Sequence, residues 1–160
     1  MESQTVTQFT ETATQFSKTV VAAALMRQRP GHDVELFIAR RTAPEPVAGM
    51  WEFPGGKLEP GETLHQGLHR ELSEELGVAV ALHAEVIGNG HGAYFAEAGW
   101  WLKDTTAMRL FRGEVLAGEP FPLQDHDRVD WVPVTARLLD YPWIPADRPI
   151  VEQIIRDRDS

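Results

Sequence analysis

Hydrophobic positions change period several times along the chain. From Thr19 to Met26, TVVAAALM is an unbroken apolar run, which predicts a strand buried on both faces. RPGHD (29–33) is turn chemistry, and VELFIARR (34–41) alternates in part, so it predicts a second strand folding back as a hairpin. TAPEPVAG (42–49) reads as loop, and MWEF (50–53) predicts a short strand stopped by Pro54 and Gly55. The period then lengthens. Leu64, Leu68, Leu72 and Leu76 recur every fourth residue, drifting about 40° per step, and form one stripe to lie against a sheet. Thr63 and Gln66 fit a capping box and Gly77 a left-handed C-cap, which predicts a helix over 64–76.

Farther on, VAVALHAEVIG (78–88), AMRLFRGEVL (107–116) and RVDWVPV (128–134) predict strands. NGHGAYFAEAGWWLKD (89–104) is loop-like with room for a short strand, and GEPFPLQDHD (118–127) is loop. TARLLD (135–140) suits a helical turn. PADRPIVEQIIRDR (145–158) predicts a last helix with Ile150, Ile154 and Ile155 as its apolar set. Strands interleaved with few helices predict an α+β fold, a mixed sheet with helices on its faces. The first 17 residues are rich in Thr and Gln and carry TQF twice. They read as an arm or frayed terminus, leaving 18–160 as one domain.

Composition narrows the function classes. No apolar run approaches the roughly 20 residues of a membrane span. The N-terminus lacks the basic-then-apolar pattern of a secretory signal. Without cysteine, disulfides, thiolate metal sites and thiol catalysis are excluded, which suits a cytoplasmic location. The net charge of −9, with no basic stripe, argues against a nucleic-acid polymer as partner. An acidic protein can still handle a phosphate compound when divalent cations stand between the negative parties.

The predicted helix carries Glu71, Glu74 and Glu75 in its last two turns, near its negative end. Each like-charged pair at three or four residues' spacing costs a few tenths of a kcal/mol. A bound Mg²⁺ or Mn²⁺ reverses the sign of each of these terms, and clustered carboxylates suit such hard ions. Taken alone, REXXEE is as well explained by a solvated acidic face with Arg70 as counterion. Its context points elsewhere. EFPGGKLEPGE (52–62) supplies Gly55 and Gly56 for close backbone approach, Lys57 as a cation, and Glu59 and Glu62 as further acids. That is a metal–phosphate site in outline.

Gly56, five residues, Glu62, seven residues, then Arg70-Glu71-Leu72-x-Glu74-Glu75-x-Gly77-Val78 matches each of the nine specified positions of the Nudix box. The chain thus resembles the Nudix hydrolases. LFIARR, WEFPGGK and WIPADRP make it similar to their MutT branch over roughly residues 19–155. The resemblance implies a Nudix fold, an α/β/α sandwich with a mixed sheet between helices. It also implies Mg²⁺- or Mn²⁺-dependent hydrolysis of nucleoside triphosphates to monophosphate and pyrophosphate, in pool cleansing or CTP/dCTP control. The partner is then a small-molecule nucleotide, and a monomer and a homodimer are equally compatible.

Residue by residue, the resemblance makes Glu71, Glu74 and Glu75 the metal ligands, with the Gly55 carbonyl and Asp125 as further ones and Asp127 as the fallback. Glu71 and Glu74 form the catalytic group with Arg70, which orients Glu71 and the neighbouring carboxylates. Glu62 is a ligand or an ion-pair partner, and Gly77 closes the box. Arg41 would contact phosphate, beside Gly56 and Lys57. Asp147 in PADRP would read the base: ionised, it accepts from the exocyclic amine of cytosine; protonated by burial, it also donates, as to an oxidised guanine. It equally suits a plain helix N-cap. Phe53 and Trp143 would stack on the base, or simply fill core. Other diphosphate derivatives (a sugar nucleotide, a dinucleoside polyphosphate, ADP-ribose) also fit the box. A binding module without turnover would predict a damaged box. His65 and His69 mimic a zinc spacing, but Gln66 stands where a general base would be required and no third ligand is evident.

Overall fold

The computed structural model describes residues 16–88, 93–122 and 125–159. Its strands are β1 (Lys18–Arg27), β2 (Glu35–Arg41), β3 (Trp51–Glu52), β4 (Gly55–Lys57), β5 (Ala79–Glu85), β6 (Tyr94–Phe95), β7 (Gly99–Lys103), β8 (Thr106–Ala117) and β9 (His126–Pro133). Its α-helices are α1 (Leu64–Leu76) and α2 (Arg148–Asp159). The strands form one mixed sheet in the order β3-β2-β1-β8-β7-β6, with β4 on β1, β5 on β8 and β9 on β2.

The unbroken apolar run of β1 has its cause in this order. β1 pairs in parallel with β8 along Lys18–Leu25 and antiparallel with β4 and β2 on its other side. Val21, Ala23 and Leu25 face one core, together with Leu68, Leu72 and Leu76 of α1. Ala22 and Ala24 face the other, together with Ile150, Val151 and Ile154 of α2. The helices therefore cover opposite faces, as an α/β/α sandwich requires. The helix ends match the sequence pattern. The Thr63 side chain accepts from the Gln66 N–H, the Gln66 side chain returns a bond to the Thr63 N–H, and Gly77 sits at φ 69°.

β3 ends before Pro54, as the sequence reading expects, but Gly55 opens a further strand which that reading did not contain. Pro54 interrupts the strand, yet its carbonyl accepts from the Ala23 N–H, and Gly55–Lys57 resumes as β4 against β1. The partner lies more than thirty residues upstream, and only a chain without side chains fits there. A Cβ on Gly55 would stand 2.1 Å from the Val21 carbonyl oxygen. In the loop-like 89–104 segment, β6 and β7 form a hairpin rather than one short strand, while 89–92 lie outside the described residues. The last predicted helix begins as a 3₁₀ turn, Pro145–Asp147, before α2. Of the N-terminal arm, only Phe16 and Ser17 are described. The Ser17 N–H donates to the Thr105 carbonyl and the Phe16 ring lies 5.1 Å from that of Phe95. Among the described residues, no helix is long and apolar enough to cross a membrane.

Leu72 is fully buried between α1 and the sheet. Leu72→Ala is expected to cost about 2–5 kcal/mol in urea unfolding. Gly55→Ala should cost about 1–3 kcal/mol, because β1 fixes the backbone it would strike.

Candidate active site

The β4 strand and the face of α1 above it are pressed together. A Cβ on Gly56 would fall 2.3 Å from the Glu71 carboxylate, so only glycine lets that carboxylate lie on the strand. Arg70 organises the acids around this contact. Its Nε and Nη2 donate to the two Glu62 oxygens at 2.7 and 3.0 Å. Its Nη1 reaches Glu71 at 3.0 Å and Glu74 at 3.2 Å, and Nη2 also donates to the Lys57 carbonyl at 3.1 Å. Glu59 lies 3.6 Å away. One guanidinium thus ties the strand, the following loop and the helix together. The Arg70 hydrogen bond, with the Glu59 N–H, holds the Glu62 carboxyl below its usual range.

Glu75 turns the other way, where it accepts from the Gly55 N–H at 3.3 Å. Desolvation pushes its pKa up to about 7; His126 opposes this, the negative charges of Glu71 and Glu52 add to it, and the Gly55 bond opposes it. With Arg70 holding Glu71 and Glu74, no three acid or imidazole groups among the described residues converge on one ready metal position. The donor set nevertheless suits a hard divalent cation. It offers carboxylate oxygens on a backbone stripped of side chains, and one of them is buried beside like charges that a cation would compensate.

A second cluster adjoins Glu75, and nothing in the local sequence pattern signals it. Glu52 accepts from Arg41 Nη1 and from His126 Nε2, both at 2.8 Å and at the same Oε2 atom. Burial alone would depress His126. The Glu52 hydrogen bond and charge, with Glu75 added and Arg41 opposing, carry it above its ordinary value. Cross-strand pairing could have suggested this cluster only with the register known, since His126 and Glu52 lie 74 residues apart. Asp125 is exposed, with a left-handed backbone at φ 56°. Asp127 is engaged elsewhere, in a bidentate pair with Arg40 at 2.9 and 2.8 Å. Lys57 is exposed beside Gly56.

Asp147 lies on the other face. The 142–144 segment runs along β3: the Trp51 N–H donates to Pro142, and the Ile144 N–H to Trp51. That seats Asp147 beside Phe53. Asp147 is 4% exposed, and burial raises its pKa well above the ordinary aspartate value. The Glu52 charge adds to this, and a hydrogen bond from the Phe53 backbone opposes it. Phe53 and Trp143 are themselves buried, ring centroids 5.4 Å apart, each covering the other. His65 packs edge-on against Phe111, and His69 is exposed.

The sequence model of a family described as the NUDIX domain matches residues 17–154. A Mycobacterium tuberculosis (strain H37Rv) protein, named provisionally as 8-oxo-dGTP diphosphatase 2, is 40% identical over 137 residues, covering 86% of this chain and 87% of that protein. The CTP pyrophosphohydrolase of Escherichia coli K12 is 35% identical over 136 residues, 83% of this chain and 87% of that one. Among solved structures, the E. coli ORF135 protein superposes with a TM-score of 0.64 at 30% identity, covering 91% of this chain and 94% of its own.

The folded-state pKa of Asp147 lies above its unfolded value, so the folded protein holds the proton as pH rises from the ordinary aspartate range. Over that window wild-type stability falls with rising pH, whereas an amide there carries no such penalty. Asp147→Asn should therefore gain stability relative to wild type as pH rises above about 4, by at most about 1.4 kcal/mol per pH unit. Urea unfolding of both proteins across that range measures it; a pH-independent difference would contradict the burial argument.

Proposed function

Since the chain belongs to the NUDIX family and is a Nudix hydrolase, we propose that it hydrolyses ribo- or deoxyribonucleoside triphosphates to nucleoside monophosphate and pyrophosphate, supported by Mg²⁺ or Mn²⁺. The carrying observation is the acidic face of α1 laid directly on the glycine strand, with Glu71 over Gly56 and Glu75 on the Gly55 N–H. The names of the full-length relatives, an 8-oxo-dGTP diphosphatase and a CTP pyrophosphohydrolase, support the substrate class.

Glu71, Glu74, Glu75 and the Gly55 carbonyl would hold the divalent cations, with Asp125 as a further ligand from the β9 end. When bound, such ions neutralise phosphate charge and lower the pKa of water they coordinate. The chain's own residues do the rest. Glu71 takes the proton of the attacking water. Arg70 keeps Glu71 and Glu74 aligned through one nitrogen while Glu62 anchors its other two. Arg41 and exposed Lys57 present positive charge to the phosphates, and Gly56 lets them approach the backbone.

The base is read by Asp147 as a neutral carboxyl. Buried and protonated, it donates through its O–H and accepts through its carbonyl oxygen. That suits bases with an acceptor and a donor side by side, such as N3 and the N4 amine of cytosine or O6 and N7–H of 8-oxoguanine. Phe53 acts here by flanking and hydrogen-bonding Asp147 through its backbone, since its ring is covered by Trp143.

Glu71→Gln and Glu74→Gln are each expected to lower kcat at least about a hundredfold, with unfolding curves close to wild type. Turnover near wild type in either would sink the assignment. Relative kcat/KM for CTP, dCTP, 5-methyl-dCTP, dGTP, 8-oxo-dGTP and ADP-ribose, with products resolved by chromatography, should place cytosine or 8-oxoguanine nucleotides first. Preference for ADP-ribose would overturn the triphosphate reading.

A further inference from the structure

Glu52 lies between two parts of the site that are far apart in sequence. Its Oε2 atom accepts from Arg41, at the end of β2, and from His126, at the start of β9. The His126 side chain is only 1% exposed, so the imidazole serves the interior rather than solvent or substrate. The chain around it is irregular in a specific way. Arg40 pairs with Arg128 and Arg41 with His126, which leaves Asp127 as the extra residue of a β-bulge. Asp127 is held outward by Arg40, the Asp125 carbonyl accepts from the Thr42 N–H at 2.9 Å, and Asp125 takes a left-handed backbone. Aspartate tolerates that conformation better than most residues, and the Thr42 N–H bond to its carbonyl helps to hold it. Its chain neighbour His126 carries the buried bond to Glu52. Arg41 is fixed from the opposite side as well, since its Nε donates to the Ala43 carbonyl at 2.7 Å.

We propose that Glu52 is a positioning residue that fixes two reactive elements at once. Through His126 it sets the bulge that aims Asp125, and through Arg41 it sets the guanidinium at the phosphates. The inference rests on the reading above of Asp125 as a metal ligand and Arg41 as a phosphate contact. It adds that one carboxylate, contacting neither metal nor substrate, couples them. The sequence alternation of β2, β3 and β9 makes this possible. Ala39 pairs with Glu52 and Val129, so Glu52 projects from the same face as Arg41 and His126.

The test uses Mn²⁺ binding to the free protein, followed by electron paramagnetic resonance, and KM for dCTP. Asp125→Ala should weaken Mn²⁺ binding and Arg41→Ala should raise KM. Glu52→Ala should do both. His126→Phe, which keeps ring volume but removes the donor, should weaken Mn²⁺ binding by about tenfold and leave KM closer to wild type. His126→Gln, which restores an N–H toward Glu52, should recover most of that loss; a purely space-filling histidine predicts the opposite ranking. Should Glu52→Ala unfold, the His126 pair carries the test. Folded Glu52→Ala or His126→Phe with wild-type Mn²⁺ affinity would overturn the proposal. So would a Glu52→Ala that shifts only one of the two constants. If Asp125→Ala and Arg41→Ala themselves change nothing, the reading of the site fails first, and the positioning role falls with it.

Discussion

The site depends on how closely a strand can approach its neighbours when it has no side chains. β4 is pinched between β1 and α1. On one side a Cβ at Gly55 would meet the Val21 carbonyl at 2.1 Å; on the other, a Cβ at Gly56 would meet Glu71 at 2.3 Å. Both distances are far inside contact: the first is to the β1 backbone and fixes how closely β4 pairs within the sheet, and the second is to the movable end of the Glu71 side chain above it. Two contacts across the strand go with this close approach. Arg70 can reach the Lys57 carbonyl from the helix only because the strand lies this close, and Glu75 can accept from the Gly55 N–H for the same reason.

Electrostatics explains why the acidic face does not unravel the helix that carries it. Arg70 contacts Glu62, Glu71 and Glu74 with charge-assisted bonds of 2.7–3.2 Å, and half-burial keeps these from being fully screened. Glu75 is beyond its reach. There the like charges of Glu71 and Glu52 remain, opposed among the described residues by the His126 charge and one backbone N–H. The site is thus satisfied on its Arg70 side and under-compensated on its Glu75 side, where a divalent cation would find the largest electrostatic reward. Asp147, on the far face, illustrates a different solution. It is buried with no cationic partner among the described residues, and burial raises its pKa well above the ordinary aspartate value.

Much of the fold could be read directly from local pattern. Leu64–Leu76 is bounded by contacts that span three or four residues, and its cap residues lie where the sequence placed them. The long strand β1 was legible because an unbroken apolar run reports burial, and β2 because its residues alternate in part. β4 and the β6–β7 hairpin were not. Their strand character comes from hydrogen bonds to distant segments, and GGK or a two-residue YF has no period to detect. For the aromatic pair the residue identities left stacking and core open, and the fold packs the two buried rings against each other.

The amino-acid sequence alone determined the family, the helix with its caps, and the list of acids, because each of these is written within a few residues or in one uninterrupted motif. Only the tertiary structure decided which acids share a counterion, which one is buried, and that Glu52 joins Arg41 to His126, itself 74 residues away from Glu52. The physical reason is that charge energetics depend on distance and desolvation in space. Strand register and a β-bulge set those quantities, and neither leaves a local trace in the order of residues.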